Sequence, residues 1–129
     1  MRLSVSLFLC AILVGCSNNV APPQPLDGVW RVATPQYPLD PRTLTLAQRE
    51  STITGTGRAL GVDVPISVVV TGAATLPLVV LTFRYDGLAN GNDTARYTAV
   101  LESDGRLVGQ LVYDSAFGGR TDSLTFVKQ

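Results

Sequence analysis

The chain of 129 residues contains no histidine and only two cysteines, Cys10 and Cys16. The first absence removes Ser-His-Asp and Cys-His catalysis and every histidine metal site, and the second removes zinc-finger spacings. Charge is scarce too. Asp, Glu, Lys and Arg make up 16% of the chain, and ten basic side chains cancel ten acidic ones. A neutral balance offers no electrostatic ground for nucleic-acid binding, and no nucleic-acid partner is expected. No apolar run reaches the ~20 residues of a membrane-crossing helix, and no helical period of any length is present. What remains is a hydrophobic content of 46%, that of a folded chain, with a length suited to one ordinary domain.

Met1-Arg2 opens the chain with a positive charge, and residues 3–14, LSVSLFLCAILV, are mostly apolar. A basic start, a short apolar core and a small-residue exit read as a signal peptide covering residues 1–15. The exit, Leu13-Val14-Gly15-Cys16, resembles the lipobox of bacterial lipoproteins at all four positions. That resemblance implies a diacylglyceryl group on Cys16, cleavage before it and acylation of the new amino terminus. The chain would then be held at the membrane by the lipid on Cys16. Stable anchoring takes two acyl chains or an equivalent second signal, at about 0.8 kcal/mol per buried CH₂. Ser17 follows the cysteine, where an aspartate in that family favours inner-membrane retention, so the outer membrane is favoured in a two-membrane bacterium. Cleavage would discard Arg2 and Cys10, leaving Cys16 as the sole thiol and no intramolecular disulfide. Residues 16–25 are then a lipidated amino terminus with a proline-rich linker, and its segment SNNVAPPQP suits an extended stalk.

Residues 26–129 are read as an all-β domain. Apolar residues alternate or run in short valine-rich blocks between Gly, Pro, Asn and Asp, which is a strand signal. Eight strands are expected, over 27–34, 43–48, 51–59, 62–71, 76–85, 94–103, 106–114 and 121–128. Asp104-Gly105 is expected to form a two-residue hairpin turn, and Arg49-Glu50 a weaker one. Short links imply antiparallel neighbours, and eight in sequence suggest a meander closed into a small barrel, with a two-sheet sandwich as the alternative. The alternation points Gly28, Trp30, Val32, Val64, Ile66, Val68, Val70, Val79, Leu81, Phe83 and Tyr85 inward. Tyr97, Ala99, Leu101, Leu107, Gly109, Leu111, Tyr113, Leu124 and Phe126 complete the set. Val69, Leu78 and Val80 fall on the outer face.

The opening Gly28-Val29-Trp30 of such a meander resembles the calycin superfamily, which includes lipocalins and avidins. The resemblance implies that Trp30 plugs one barrel end and that Lys128, from the last strand, packs over it. The cation–π contact would contribute about 0.5–2 kcal/mol. The connection after the first strand, with prolines at 35, 38 and 41, is either a rigid surface loop or a lid or contact loop presenting Tyr37 and Arg42.

Little else bears chemistry. The segment 86–93, DGLANGND, has oxygen-rich side chains but no EF-hand spacing, and its residues are those that turns require. No metal or cofactor is expected. Asp27, Asp86 and Asp104 each precede glycine and read as turn residues; Asp114 and Asp122 flank the loop around Phe117. No carboxylate pair for glycoside chemistry is marked. The expectation is a non-catalytic, lipid-anchored envelope module that binds a small apolar ligand or a protein partner. An envelope hydrolase inhibitor, of protease or lysozyme type, and a structural or assembly lipoprotein are the alternatives.

Overall fold

In the computed structural model, residues 24–61, 64–87, 93–114 and 118–129 are described. The leader, Cys16, residues 17–23 of the linker, and most of the 86–93 loop lie outside them. Eight strands follow in order: β1 Gly28–Val32, β2 Thr43–Arg49, β3 Thr52–Ala59, β4 Ile66–Thr75, β5 Leu78–Asp86, β6 Asp93–Leu101, β7 Leu107–Tyr113 and β8 Thr121–Lys128. Each is antiparallel to the next, and β8 pairs with β1 through Trp30–Lys128, Arg31–Val127 and Val32–Phe126, closing the barrel. Closure leaves no unpaired sheet edge.

Alternation builds this wall. Along β5, Val79, Leu81, Phe83 and Tyr85 are buried, while Thr82 and Arg84 are exposed. An eight-stranded lumen is just wide enough to be filled by side chains. The register fits bulk against gaps: Leu81 faces Gly72, Val79 faces Ala99, and Phe83 faces Ala95. On β3 two of the four inward positions are Gly55 and Gly57, opposite Leu46 and Leu44. That side of the wall therefore leaves its share of the interior to rings from the other strands. Gly109 marks the tightest approach: a Cβ there would collide with the Thr98 carbonyl and sit 2.6 Å from the Ala99 Cβ.

Most strand bounds fall within two residues of expectation, and the larger difference is in one region. β4 starts at Ile66 and runs on through Gly72 to Thr75, because the reversal occurs at Leu76-Pro77. Val64, expected inward, precedes the strand and is 64% exposed, while Leu101 is only partly buried. Two turns also differ. The β2–β3 turn is Glu50-Ser51, one residue later than expected, with Glu50 in the left-handed region at φ 56°. At the β6–β7 turn Gly105 alone takes positive φ (88°), and its N–H donates to the Glu102 carbonyl at 2.9 Å. Asp104 keeps an ordinary φ and accepts the Arg106 N–H instead, so this hairpin is built on a longer turn ending in a left-handed glycine.

Candidate functional site at the loop end of the barrel

The topology gives the barrel two unlike ends. One carries the β2–β3, β4–β5 and β6–β7 hairpins together with residues 24–27 and the carboxyl terminus; the other carries the four longer connections.

The hairpin end is sealed by the chain's own entry. Trp30 is fully buried and its Nε1 donates to the Leu26 carbonyl at 3.0 Å. Lys128 Nζ lies 5.7 Å from the Trp30 ring centroid and donates to the Pro25 carbonyl at 3.1 Å. Gly28 has φ 127°, and a Cβ there would touch Lys128 Cε at 3.0 Å, so glycine keeps the lysine close to the indole. Asp27 does more than turn the chain. Its carboxylate accepts the Gln48 N–H at 2.6 Å and the Gln24 N–H at 2.9 Å. Those two bonds, that to Gln48 first, hold its pKa below the ordinary carboxylate value. Gln48 Oε1 in turn accepts the Leu26 N–H at 3.1 Å. Gln24 and Pro25, placed by sequence in the linker, are thus bonded to the barrel.

Between the ends the lumen holds a column of rings. Phe83 stacks on Tyr97 at 6.1 Å, and Tyr97 meets Phe126 edge-on at 5.3 Å. The Tyr97 hydroxyl donates to the Leu124 carbonyl at 2.9 Å, with the Leu107 carbonyl at 3.2 Å. Burial raises its pKa far above the phenol value.

The loop end is where polar groups gather. The β1–β2 connection crosses it and is tied on both sides: Ala33 N–H donates to Thr125 at 2.8 Å, and Arg42 N–H to Arg58 at 2.7 Å. Tyr37 packs edge-on against Tyr113, centroids 5.5 Å apart, with the Arg120 guanidinium 4.5 Å from the Tyr37 ring centroid. Arg42 stands at the β3 foot of the loop, half-buried, its buried Nε without a hydrogen-bond partner among the described residues. Tyr37 and Arg42 are both half-buried, in a loop that crosses this end of the barrel and is called the lid below.

Under the lid lies a carboxyl pair that the sequence did not reveal. Asp40 is fully buried. Its Oδ1 accepts the Tyr113 hydroxyl at 2.6 Å, and its Oδ2 accepts the Gln36 and Tyr37 N–H groups at 2.8 and 2.9 Å. Asp122, 2% exposed, accepts Arg120 Nε at 2.7 Å through Oδ1 and feels the Asp40 carboxyl. Burial first, and the Asp40 carboxyl second, raise the Asp122 pKa. The Tyr85 and Tyr113 hydroxyls hydrogen-bond each other beneath, and burial raises both phenols. Asp122 sits at an inward position of β8, so a strict reading of alternation would have flagged it. Asp40 lies in a loop, where no period applies. Asp114, its expected loop companion, binds the Thr94 N–H at 3.1 Å instead.

Compared with known proteins, the chain matches no family model, no curated protein and no solved structure.

A concavity of about 400 Å³ lies at the β2–β3 hairpin, against Arg49, Glu50, Thr52 and Thr54, and two others lie on the outer wall. One of about 260 Å³ is lined by Thr43, Thr45, Thr56, Arg58 and Ser67; another of about 310 Å³ by Thr82, Thr94, Arg96, Val112 and Asp114. Among the described residues no group of three or more Asp, Glu, His or Cys side chains is arranged to hold a metal.

Proposed function

We propose that this protein is a lipid-anchored bacterial envelope lipoprotein, held by acyl chains on Cys16, whose barrel works as a non-catalytic binding module for a protein partner. The observation that carries the choice of partner is the filled interior. Trp30, Phe83, Tyr85, Tyr97, Tyr113 and Phe126 are all buried to within 1%. A carrier of small apolar ligands needs a cavity of about 300 Å³ or more, and six rings packed at ordinary protein density oppose one. Recognition then falls to the rim, where the lid exposes Gln36 and Pro38 and the next connection exposes Leu60 and Val64.

Residues 24–27, the strap bonded across the hairpin end, give that rim an orientation. The chain enters at the hairpin end, eight positions after Cys16. A tether of that length reaches at most about 25 Å when extended, which supports a barrel standing with its hairpin end toward the bilayer and its lid away from it. An inhibitor of an envelope hydrolase would use the same rim and is the second reading. A photocrosslinker at Gln36 in cells should join the protein to a heterologous polypeptide, and one at Gln110 on the wall should not. Labelling with radioactive palmitate should disappear in Cys16→Ser. Palmitate retained in that variant defeats the anchor; stoichiometric uptake of an apolar dye displaced by fatty acid defeats the filled-lumen reading.

A further inference from the structure

Asp40 and Asp122 are buried carboxyls that act on each other under the lid, and their hydrogen-bond donors are unequally divided. Asp40 receives three: the Tyr113 hydroxyl and the Gln36 and Tyr37 N–H groups. Both of its oxygens therefore act as acceptors, the arrangement of an ionised carboxylate. Asp122 receives Arg120 on Oδ1 only, and its buried Oδ2 has no donor. Two ionised carboxylates cannot face each other in a site withdrawn from water. A proton on Asp122 Oδ2 resolves the conflict: it donates to Asp40 and turns repulsion into a bond.

We infer that Asp122, in its protonated form, is a pH-operated latch that holds the 33–42 lid over the loop end of the barrel through Asp40. The lid side of the latch is Asp40 with Tyr37, and Arg42 lies at the lid's foot. Facing it are Tyr85 on β5, Tyr113 on β7, and Arg120 with Asp122 at the start of β8. Asp93, buried and paired with Tyr85 at the start of β6, Asp86 beside Arg84 at the end of β5 and Asp114 on the Thr94 N–H are the other described carboxylates of the rim. The phenols stay protonated throughout the relevant range because burial raises them, and Arg120 is always charged. Asp122 is therefore the group that switches.

The sign follows from linkage. Docked, Asp122 titrates above the ordinary carboxylate value of 3.8; undocked and wet, it returns toward that value. The latch contributes its full stability below 3.8 and loses it as pH rises through the docked value. Between those limits opening is coupled to loss of the Asp122 proton, so the opening constant rises with pH. Opening lifts Tyr37 off Tyr113 and exposes a ring of hydroxyl and carboxyl groups. In a domain outside the cytoplasm, that change would follow the pH of the medium.

The test uses the full chain in detergent solution, with carboxyl ¹³C NMR and hydrogen exchange at the Gln36 and Tyr37 amides. Asp122 should titrate above 3.8, and protection of both amides, corrected for intrinsic exchange, should fall as pH rises from 3.8 through that midpoint. Asp122→Asn replaces Oδ2 by a permanent donor and keeps an acceptor for Arg120, so its amides should stay protected at all pH values. An Asp122 titration at or below 3.8, or flat wild-type protection, would overturn the latch. So would an unchanged slope in Asp122→Asn. Should that variant fail to fold, the wild-type titration and exchange decide by themselves.

Discussion

Trp30 shows how much one side chain contributes at the hairpin end. It is fully buried, bonded to Leu26 and covered by Lys128. Trp30→Ala should destabilise by about 3–5 kcal/mol, through lost transfer energy and a cavity that the strap cannot collapse into. Lys128→Met should cost about 1 kcal/mol or less, because an exposed cation–π contact is weak and the aliphatic stem is retained. Urea unfolding of both variants checks the ratio, and equal losses would mean that the indole is not the anchor. Asp27 acts at the same scale with a definite pH dependence. Its pKa is lowered in the fold, so its bonds to Gln48 and Gln24 stabilise above the unfolded value of 3.8 and are lost as pH falls through the folded value. Asp27→Asn should therefore lower the urea midpoint at neutral pH, and the gap to wild type should close on acidification below 3.8. A gap that stays constant with pH would show that the carboxylate charge is irrelevant to the strap. Asp27 and Asp122 thus respond to acid in opposite directions, one loosening the hairpin end and the other tightening the lid.

At the scale of strands, the pleat decides which residues face the lumen, and glycine decides how near the walls come. Gly109 pairs with Ala99 and Leu124 while touching the β6 backbone. Gly109→Ala should destabilise by about 3 kcal/mol, the upper end of overpacking costs, because the clash is with backbone and not with a movable side chain. Gly105→Ala, where a Cβ meets nothing within 4 Å but φ is 88°, should cost only about 1–2 kcal/mol. Thermal unfolding of the pair separates steric from conformational cost; the reverse order would refute the register at β6–β7. Strand existence was legible from period-two alternation. The bounds of β4 were not, because Gly72-Ala73-Ala74-Thr75 lacks the bulk that makes a strand visible, although its neighbours on β5 supply it. Val64 failed for the mirror reason: its own hydrophobicity suggested burial, but no strand partner reaches it.

At the scale of the molecule, closure sorts the chain into a hairpin end that receives the linker and a loop end roofed by the lid. The outer wall between them is rich in threonine: Thr54, Thr71 and Thr82 lie side by side on β3, β4 and β5. These hydroxyls need no burial and keep the wall wet. The larger exposed apolar side chains sit toward the ends, Leu76, Leu78 and Val100 at the hairpin end and Leu60 and Val64 at the loop end. If the lid end is where a partner docks, the substitution Leu60→Asp should abolish crosslinking from Gln36 while leaving the urea midpoint within about 0.5 kcal/mol of wild type, as expected for an exposed site. Loss of stability instead would place Leu60 in the fold rather than at a contact.

The all-strand character, the sequential antiparallel order and most of the inward set followed from local alternation and turn chemistry, which act between near neighbours in the chain. Trp30 and Lys128 were paired by sequence only through a resemblance, and β1–β8 closure is what sets them 5.7 Å apart. The Asp40–Asp122 contact, the strap's hold on Gln48 and the unequal ends were decided by the tertiary structure alone. Each depends on groups brought together across the barrel, and the burial that shifts their proton affinities exists only once the walls have closed.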